Sequence, residues 1–271
     1  MSTALVLAGG GVTGIAWEIG VLLGLQENGL DIPATADTVI GTSAGSTVGA
    51  QLRTGNSLAD LYARQLDENH GEISPRIDVD LLTTIFGMMT DGGTHSDEQR
   101  RGIGDLALSA PSVDEATRRA VIERRIGTDE WPQADLVITA IDAVTGGFVT
   151  WTKDSGISLI DAVASSCAVP GVWPCVTING RRYYDGGLRN SANAHLAAGH
   201  DTVHVLAPLT GGASPAVEAE MNELRANGAT VHFITADEEA TAAMGPNSLD
   251  PRFRRPAAEH GLRQGRAAQL G

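Results

Sequence analysis

Two cysteines in 271 residues, Cys167 and Cys175, are too few for a disulfide framework or a zinc site. They call for no metal or cofactor, and their scarcity suits a reducing compartment. Long apolar runs are missing as well: no stretch approaches the roughly 18 consecutive apolar residues that a membrane span needs. The first apolar run, Ala4 to Ala8, has no basic flank and is far shorter than the core of a secretion signal. Export is therefore not indicated, and the cytoplasm is the expected location. Positive charge is also in deficit. Nineteen basic against thirty-three acidic residues leave a formal charge of −14, a field that repels phosphate backbones and argues against nucleic acid as a partner. The C-terminal stretch is the exception, because Arg252, Arg254, Arg255, Arg263 and Arg266 are accompanied there by the single acid Glu259. These arginines are a candidate transient contact with an anionic membrane surface, and a solvated helix face is the plainer reading.

Glycine is plentiful, with 33 copies, and 42% of the chain is apolar, a composition suited to an α/β protein with many tight turns. Thr3 to Ala8 reads as a buried strand stopped by three glycines. Ile15, Ile19, Leu22, Leu23 and Leu25 then recur at helical spacing as far as Asn28-Gly29. A second short strand, Thr38 to Gly41, enters Thr42-Ser43-Ala44-Gly45-Ser46, after which Val48, Ala50 and Leu52 continue helically toward Thr54-Gly55. From Ser57 to Arg125 the pattern is mostly helical, with Leu81, Leu82, Ile85, Met88 and Met89 on one face and a break at Asp91-Gly92-Gly93. That face is either core or, given its flexible methionines, a lid over an acyl site. Strands are predicted at Leu136 to Ile141, Gly147 to Trp151, Val176 to Ile178, Arg182 to Tyr184, Thr202 to Leu206 and Val231 to Ile234. Asn179-Gly180 between two of them is a hairpin signal. The alternation predicts an α/β fold, one domain over residues 1–271, with a central, mostly parallel sheet flanked by helices on both faces.

Gly9-Gly10-Gly11-Val12-Thr13-Gly14 satisfies G-x-G-x-x-G between a strand and a helix, so a non-catalytic nucleotide-binding module is one reading. That reading needs a carboxylate at the end of the second strand for the ribose, and Gly41-Thr42-Ser43 offers none. The rival is an oxyanion hole, in which the Gly9, Gly10 and Gly11 amides approach a small anion at a helix N-terminus. A tight turn without a ligand explains the glycines too. Gly41-Thr42-Ser43-Ala44-Gly45 fits G-x-S-x-G in its required strand-to-helix setting, which pushes Ser43 out of the sheet as a candidate nucleophile. The plain alternative is Ser43 as a helix N-cap. Two such turns in neighbouring positions bring the glycine amides and the Ser43 hydroxyl to the same carboxyl end of the sheet.

A serine nucleophile needs a base. None of the seven histidines (His70, His95, His195, His200, His204, His232 and His260) lies in a distinctive motif. Asp185 follows a predicted strand and opens Asp185-Gly186-Gly187, where the glycines allow close approach to the carboxylate; a simple Asp-Gly turn is the alternative. In order and spacing, the Gly9 to Gly14 turn, Gly41 to Gly45 and Asp185-Gly186-Gly187 resemble the patatin-like phospholipase family. Ala164-Ser165-Ser166 through Pro170 to Trp173-Pro174 is similar to the segment that precedes the family's aspartate. The likeness spans roughly Ala4 to Asn190. It implies a lipid acyl hydrolase using Ser43 and Asp185 without histidine, a lipid or small ester as substrate, and no cofactor. An acyltransferase with the same dyad is the alternative within that chemistry. One departure stands out: Thr13 occupies the place where the family usually carries Lys or Arg, so a positive charge near the oxyanion is lost. Trp173 and Phe148 are candidates for an acyl pocket, with aromatic core packing as the simpler role. An α/β-hydrolase fits less well, because its elbow follows several strands and Ser43 follows the second.

Overall fold

The first strand, β1 (Thr3–Leu7), is paired on both edges, by the parallel β2 (Thr38–Gly41) on one side and by the parallel segment Thr202–Ala207 on the other. A strand so enclosed can be apolar throughout, and Ala4 to Leu7 are all fully buried. Its side chains alternate between faces: Leu5 and Leu7 enter the larger core, Ala4 and Val6 the smaller one behind the sheet. The computed structural model describes residues 1–68, 71–73, 77, 79–88, 96–208 and 214–269.

Helices α1 (Gly11–Glu27) and α2 (Ile32–Thr35) connect β1 to β2, and α3 (Ala44–Arg53) follows β2. The region expected to be helical holds α4 (Leu58–Leu66), α5 (Val79–Met88), α6 (Asp97–Ser109) and α7 (Glu115–Ile126). Next come the hairpin β3 (Asp135–Asp142) and β4 (Phe148–Trp151), helix α8 (Leu159–Ser166), and a second hairpin, β5 (Val176–Ile178) and β6 (Arg181–Asp185). Its turn residues Asn179 and Gly180 have φ of 50° and 75°, the pair of positive angles that a two-residue type I′ turn requires. The described chain ends with β7 (Thr202–Ala207), α9 (Pro215–Ala226), β8 (Thr230–Thr235), α10 (Glu238–Ala243) and α11 (Arg254–Ala267).

Hydrogen bonding runs β5-β6-β3-β2-β1-β7-β8, with β4 also on β3. The pairings among β3, β2, β1, β7 and β8 are parallel, and those made by β4, β5 and β6 are antiparallel. The sheet is thus mostly parallel and covered on both faces, as expected: α1, α3, α8 and α11 contribute to the larger core, α9 to the smaller one. The registers on β3 locate the site. Ile138 pairs with Gly41 and with Trp151, while Ala140 pairs with Val149 and with Asp185. β4 therefore lines one edge, and β2 and β6 share the other, β6 taking over where β2 stops. The end of β2 and the end of β6 meet head to head beside Ala140.

Leu81, Ile85 and Met88 pack with Ile103, Ile141 and Tyr184, so this helix faces core. Met89 and the Asp91-Gly92-Gly93 break lie outside the described residues. No described helix is long and apolar enough to cross a membrane. The first and last helices cross through glycines: a Cβ on Gly20 or Gly24 of α1 would run into the α11 backbone, and one on Gly261 or Gly265 into the α1 backbone. Backbone-to-backbone contact leaves no flexible group to yield. Gly265→Val is accordingly expected to cost roughly 3 kcal/mol by overpacking; a urea midpoint equal to that of the parent chain would contradict this crossing.

Candidate active site

Ser43 adopts φ 53° and ψ −113°, a conformation that costs a non-glycine residue energy and persists only where its surroundings enforce it. The surroundings here are specific. The Ser43 N–H donates to Ser166 Oγ (2.9 Å), and its carbonyl accepts from Ser46 Oγ (2.7 Å) and Cys167 Sγ (3.2 Å). Both flanking glycines are sterically required: a Cβ on Gly41 would lie 2.6 Å from the Gly45 carbonyl oxygen, and one on Gly45 would overlap the Leu7 carbonyl. Although Ser43 stands at the N-cap position of α3, its side chain caps nothing. The hydroxyl instead lies near enough to the Asp185 carboxylate to pull that group's pKa down.

Asp185 ends β6. Its N–H donates to the Ala168 carbonyl (3.1 Å), and its Oδ1 accepts from the Gly187 N–H (2.8 Å), so the Asp-Gly turn is present and carries a carboxylate only 2% exposed. Burial pushes the Asp185 pKa up to about 7, against the opposing pull of the Ser43 hydroxyl, the Gly187 hydrogen bond and the Arg118 charge. Gly186 is needed because a Cβ there would overlap Thr139. Behind these residues lies a network that the sequence did not announce. Asn193, fully buried at φ 51°, donates from Nδ2 to Thr42 Oγ1 (3.1 Å), the Gly186 carbonyl (3.3 Å) and the Asn190 carbonyl (2.8 Å); Thr42 and Thr139 share a 2.9 Å hydroxyl bond. One amide thereby ties the serine elbow to the aspartate turn.

The glycine turn abuts the elbow, since a Cβ on Gly9 would sit 3.5 Å from Ser43 Cβ and one on Gly14 3.5 Å from Ala44 Cβ. Gly9 departs from the expectation of a free donor: its N–H is taken by the Ser191 carbonyl at 2.9 Å. The amides of Gly10, of Gly11 at φ 64°, and of Ala44, which the sequence had not suggested, have no acceptor among the described residues. Seven other helix starts are satisfied by side chains. Asp31, Ser57, Ser96, Asp114, Ser158, Ser214 and Asp237 each accept from a first-turn amide of the helix that follows. α1 and α3 lack such a cap, as does α11, which grows directly out of a single 3-10 turn. The two helices that begin beside Ser43 therefore keep their positive ends unneutralised. Thr13 is fully buried and latched, with both its N–H and its Oγ1 donating to the Ser248 carbonyl (3.1 and 3.3 Å).

None of the five described histidines hydrogen-bonds Ser43 or Asp185. His195 joins Arg189 and Glu220, His200 bonds the Ala197 carbonyl and Thr38, His204 stacks on His232, and His260 faces Glu239. His70 and His95 lie outside the described residues. Trp173 is buried beneath the Arg118 guanidinium, and Phe148 packs against His195 and Arg189. No carboxylate follows β2, where Thr42 and Ser43 stand.

A mostly parallel sheet with a serine elbow, an adjoining glycine turn and a buried aspartate at one end of its strands is the layout of a patatin-type α/β protein. The family model described as patatin-like phospholipase matches residues 5–198, and the chain belongs to that family. No curated protein matches the chain. Among solved structures it is similar to VipD from Legionella pneumophila, at 16% identity and TM-score 0.49, over 97% of this chain and 66% of that one. It is also similar to ExoU in the heterodimeric ExoU-SpcU complex of the Pseudomonas aeruginosa type III secretion system, at 18% identity and TM-score 0.43, over 97% of this chain and 51% of that one. The chain spans about half to two thirds of the length of these structures.

The raised Asp185 pKa makes stability depend on pH. The folded value lies above the unfolded one, so this group's contribution to stability is full below the unfolded pKa and is lost as pH rises through about 7. Asp185→Asn escapes that loss and is expected to be more stable than the parent at pH 8.5, by up to roughly 4 kcal/mol, with a smaller advantage at pH 5. Urea unfolding at the two pH values measures it; an advantage that does not grow with pH would contradict the assigned ionisation.

Proposed function

We propose that this chain is a serine ester hydrolase of lipid acyl esters, with Ser43 as nucleophile and Asp185 as its base. The observation that carries the proposal is a serine in a strained and uncapped elbow, its hydroxyl within reach of a buried carboxylate whose pKa burial lifts to about 7. A carboxylate at its reference value of ~4 is a poor acceptor for a hydroxyl proton, whereas one near neutrality is matched to the task. Membership of the patatin-like phospholipase family supports the lipid substrate class.

Ser43 Oγ attacks the ester carbonyl carbon while its proton passes to Asp185. The carbonyl oxygen takes the negative charge and is received by the Gly10 and Gly11 N–H groups, with the Ala44 N–H as a third donor. Collapse breaks the carbon–oxygen bond to the alcohol, which leaves with the proton from Asp185, and the acyl group stays on Ser43. Water, giving its proton to Asp185, then attacks the acyl carbonyl; the returning proton restores Ser43 and the acid departs. With Thr13 in place of a cation, stabilisation of the oxyanion rests on backbone amides and the positive ends of α1 and α3.

Ser43→Ala is expected to abolish hydrolysis of a short p-nitrophenyl ester while leaving the thermal transition in place; activity retained in that variant would defeat the proposal. The base must be ionised to work, so kcat/KM should fall about tenfold per pH unit below about 7. A profile flat from pH 8 to pH 5 would remove Asp185 from its role.

A further inference from the structure

At Val12 and Ile15 of α1 begins a cavity of about 240 Å³ walled also by α3, α4, α7 and α11. Exposed Arg64 and Arg124 stand among its lining residues, and deeper in lie the buried Gln51, Gln65 and Arg254, together with Arg125. Arg254 corrects the expectation of a solvated arginine face: it is 6% exposed, donating from Nε to Gln65 Oε1 (3.2 Å) and from Nη2 to the Arg64 carbonyl (2.8 Å), while its Nη1 has no acceptor among the described residues. Arg125 grips Glu72 with two bonds of 2.9 and 2.5 Å. Beside this pair Arg118, 5% exposed and stacked on Trp173, has no acceptor for Nε or Nη1 among the described residues. Glu72 faces three guanidiniums, those of Arg125, Arg254 and Arg118; Asp67, which also lines the cavity, is within electrostatic reach of Arg254, and Asp185 of Arg118.

Buried charge without a counter-charge is costly, and a buried guanidinium donor without an acceptor adds to the cost. A chain of net charge −14 that nevertheless concentrates arginine around one cavity leaves that cavity suited to a small polyvalent anion. Planar guanidinium forks match the oxygens of phosphate, and Gln51 Oε1, with no donor among the described residues, can accept from a protonated phosphate oxygen or a neighbouring hydroxyl. We propose that the cavity is a phosphate-binding site, filled by the phosphate of a lipid head group or by free phosphate. The head-group source rests on the esterase proposal; the site itself does not.

Inorganic phosphate, compared with chloride at equal ionic strength, is expected to raise Tm by roughly 5 °C at a hundredfold excess over Kd. Arg254→Gln should lose that response. Because this variant also gives up two hydrogen bonds, Gln65→Glu serves as a second: it sets a carboxylate against Arg254 and should weaken phosphate binding at least tenfold while the chain still melts cooperatively. If the head group is the source, the ratio of kcat/KM for a phosphatidyl ester to that for a p-nitrophenyl ester falls at least tenfold in Gln65→Glu. If free phosphate is the source, the ratio holds and only the Tm response goes. A chain that hydrolyses no ester yet still responds to phosphate would keep this site and sink the esterase proposal. Equal Tm in phosphate and chloride, or a response that survives both substitutions, would overturn the site.

Discussion

Gly45 fits against Leu7 with no room for a side chain, because a Cβ there would overlap the Leu7 carbonyl oxygen. This contact lets α3 start directly against the end of β1, with the Gly45 N–H donating to the Ala8 carbonyl at 3.1 Å. Once α3 is pressed there, the chain leaving β2 has to turn within two residues, and Ser43 is driven to positive φ. The same proximity sets the starts of α1 and α3 side by side, so that their uncapped amides converge. A methyl group on Gly45 would push α3 off Leu7 and disturb the elbow and the neighbouring glycine turn together.

Electrostatics are handled differently inside and outside the site. Seven helices begin on a capping Ser or Asp, which satisfies their amides locally. α1 and α3 forgo that stabilisation, Ser43 is held in a strained conformation, and Asp185 is buried at the expense of its ionised form. Such concessions are typical of places where reactivity is kept ready. They are offset by the central strands, whose apolar residues are enclosed on both faces, and by the Asn193 network, which over-determines the geometry of the elbow and the aspartate turn. Thr13 shows how the absence of a cation is accommodated: the position is used to hold the Ser248 carbonyl, and helix termini remain the source of positive potential.

What was legible in the sequence was whatever depends on local chemistry. Period-two and period-3.6 patterns found the strands and helices, Asn179-Gly180 found its hairpin, and the glycines around Ser43 and Asp185 found two turns that geometry makes glycine-dependent. What was not legible depends on distant pairing. Asn193 is an unremarkable asparagine until β6 takes over the edge of β3 that β2 has left and carries the following loop beneath the elbow. Gly9 looked equivalent to Gly10 and Gly11, and only the Ser191 carbonyl from the far side of the aspartate turn distinguishes it. Arg254 was counted with its C-terminal neighbours because helical spacing alone does not reveal that α11 crosses α1 through glycines and tucks that arginine inside.

Ser43 in its elbow, deprotonated by Asp185, is the central claim, and covalent labelling addresses it without choosing a lipid. A fluorophosphonate should form one adduct, mapped by mass spectrometry to Ser43, at a rate that declines as the pH drops below about 7 and that is lost in Asp185→Asn. An unlabelled protein, an adduct on a different serine, or an undiminished rate in Asp185→Asn would contradict the account.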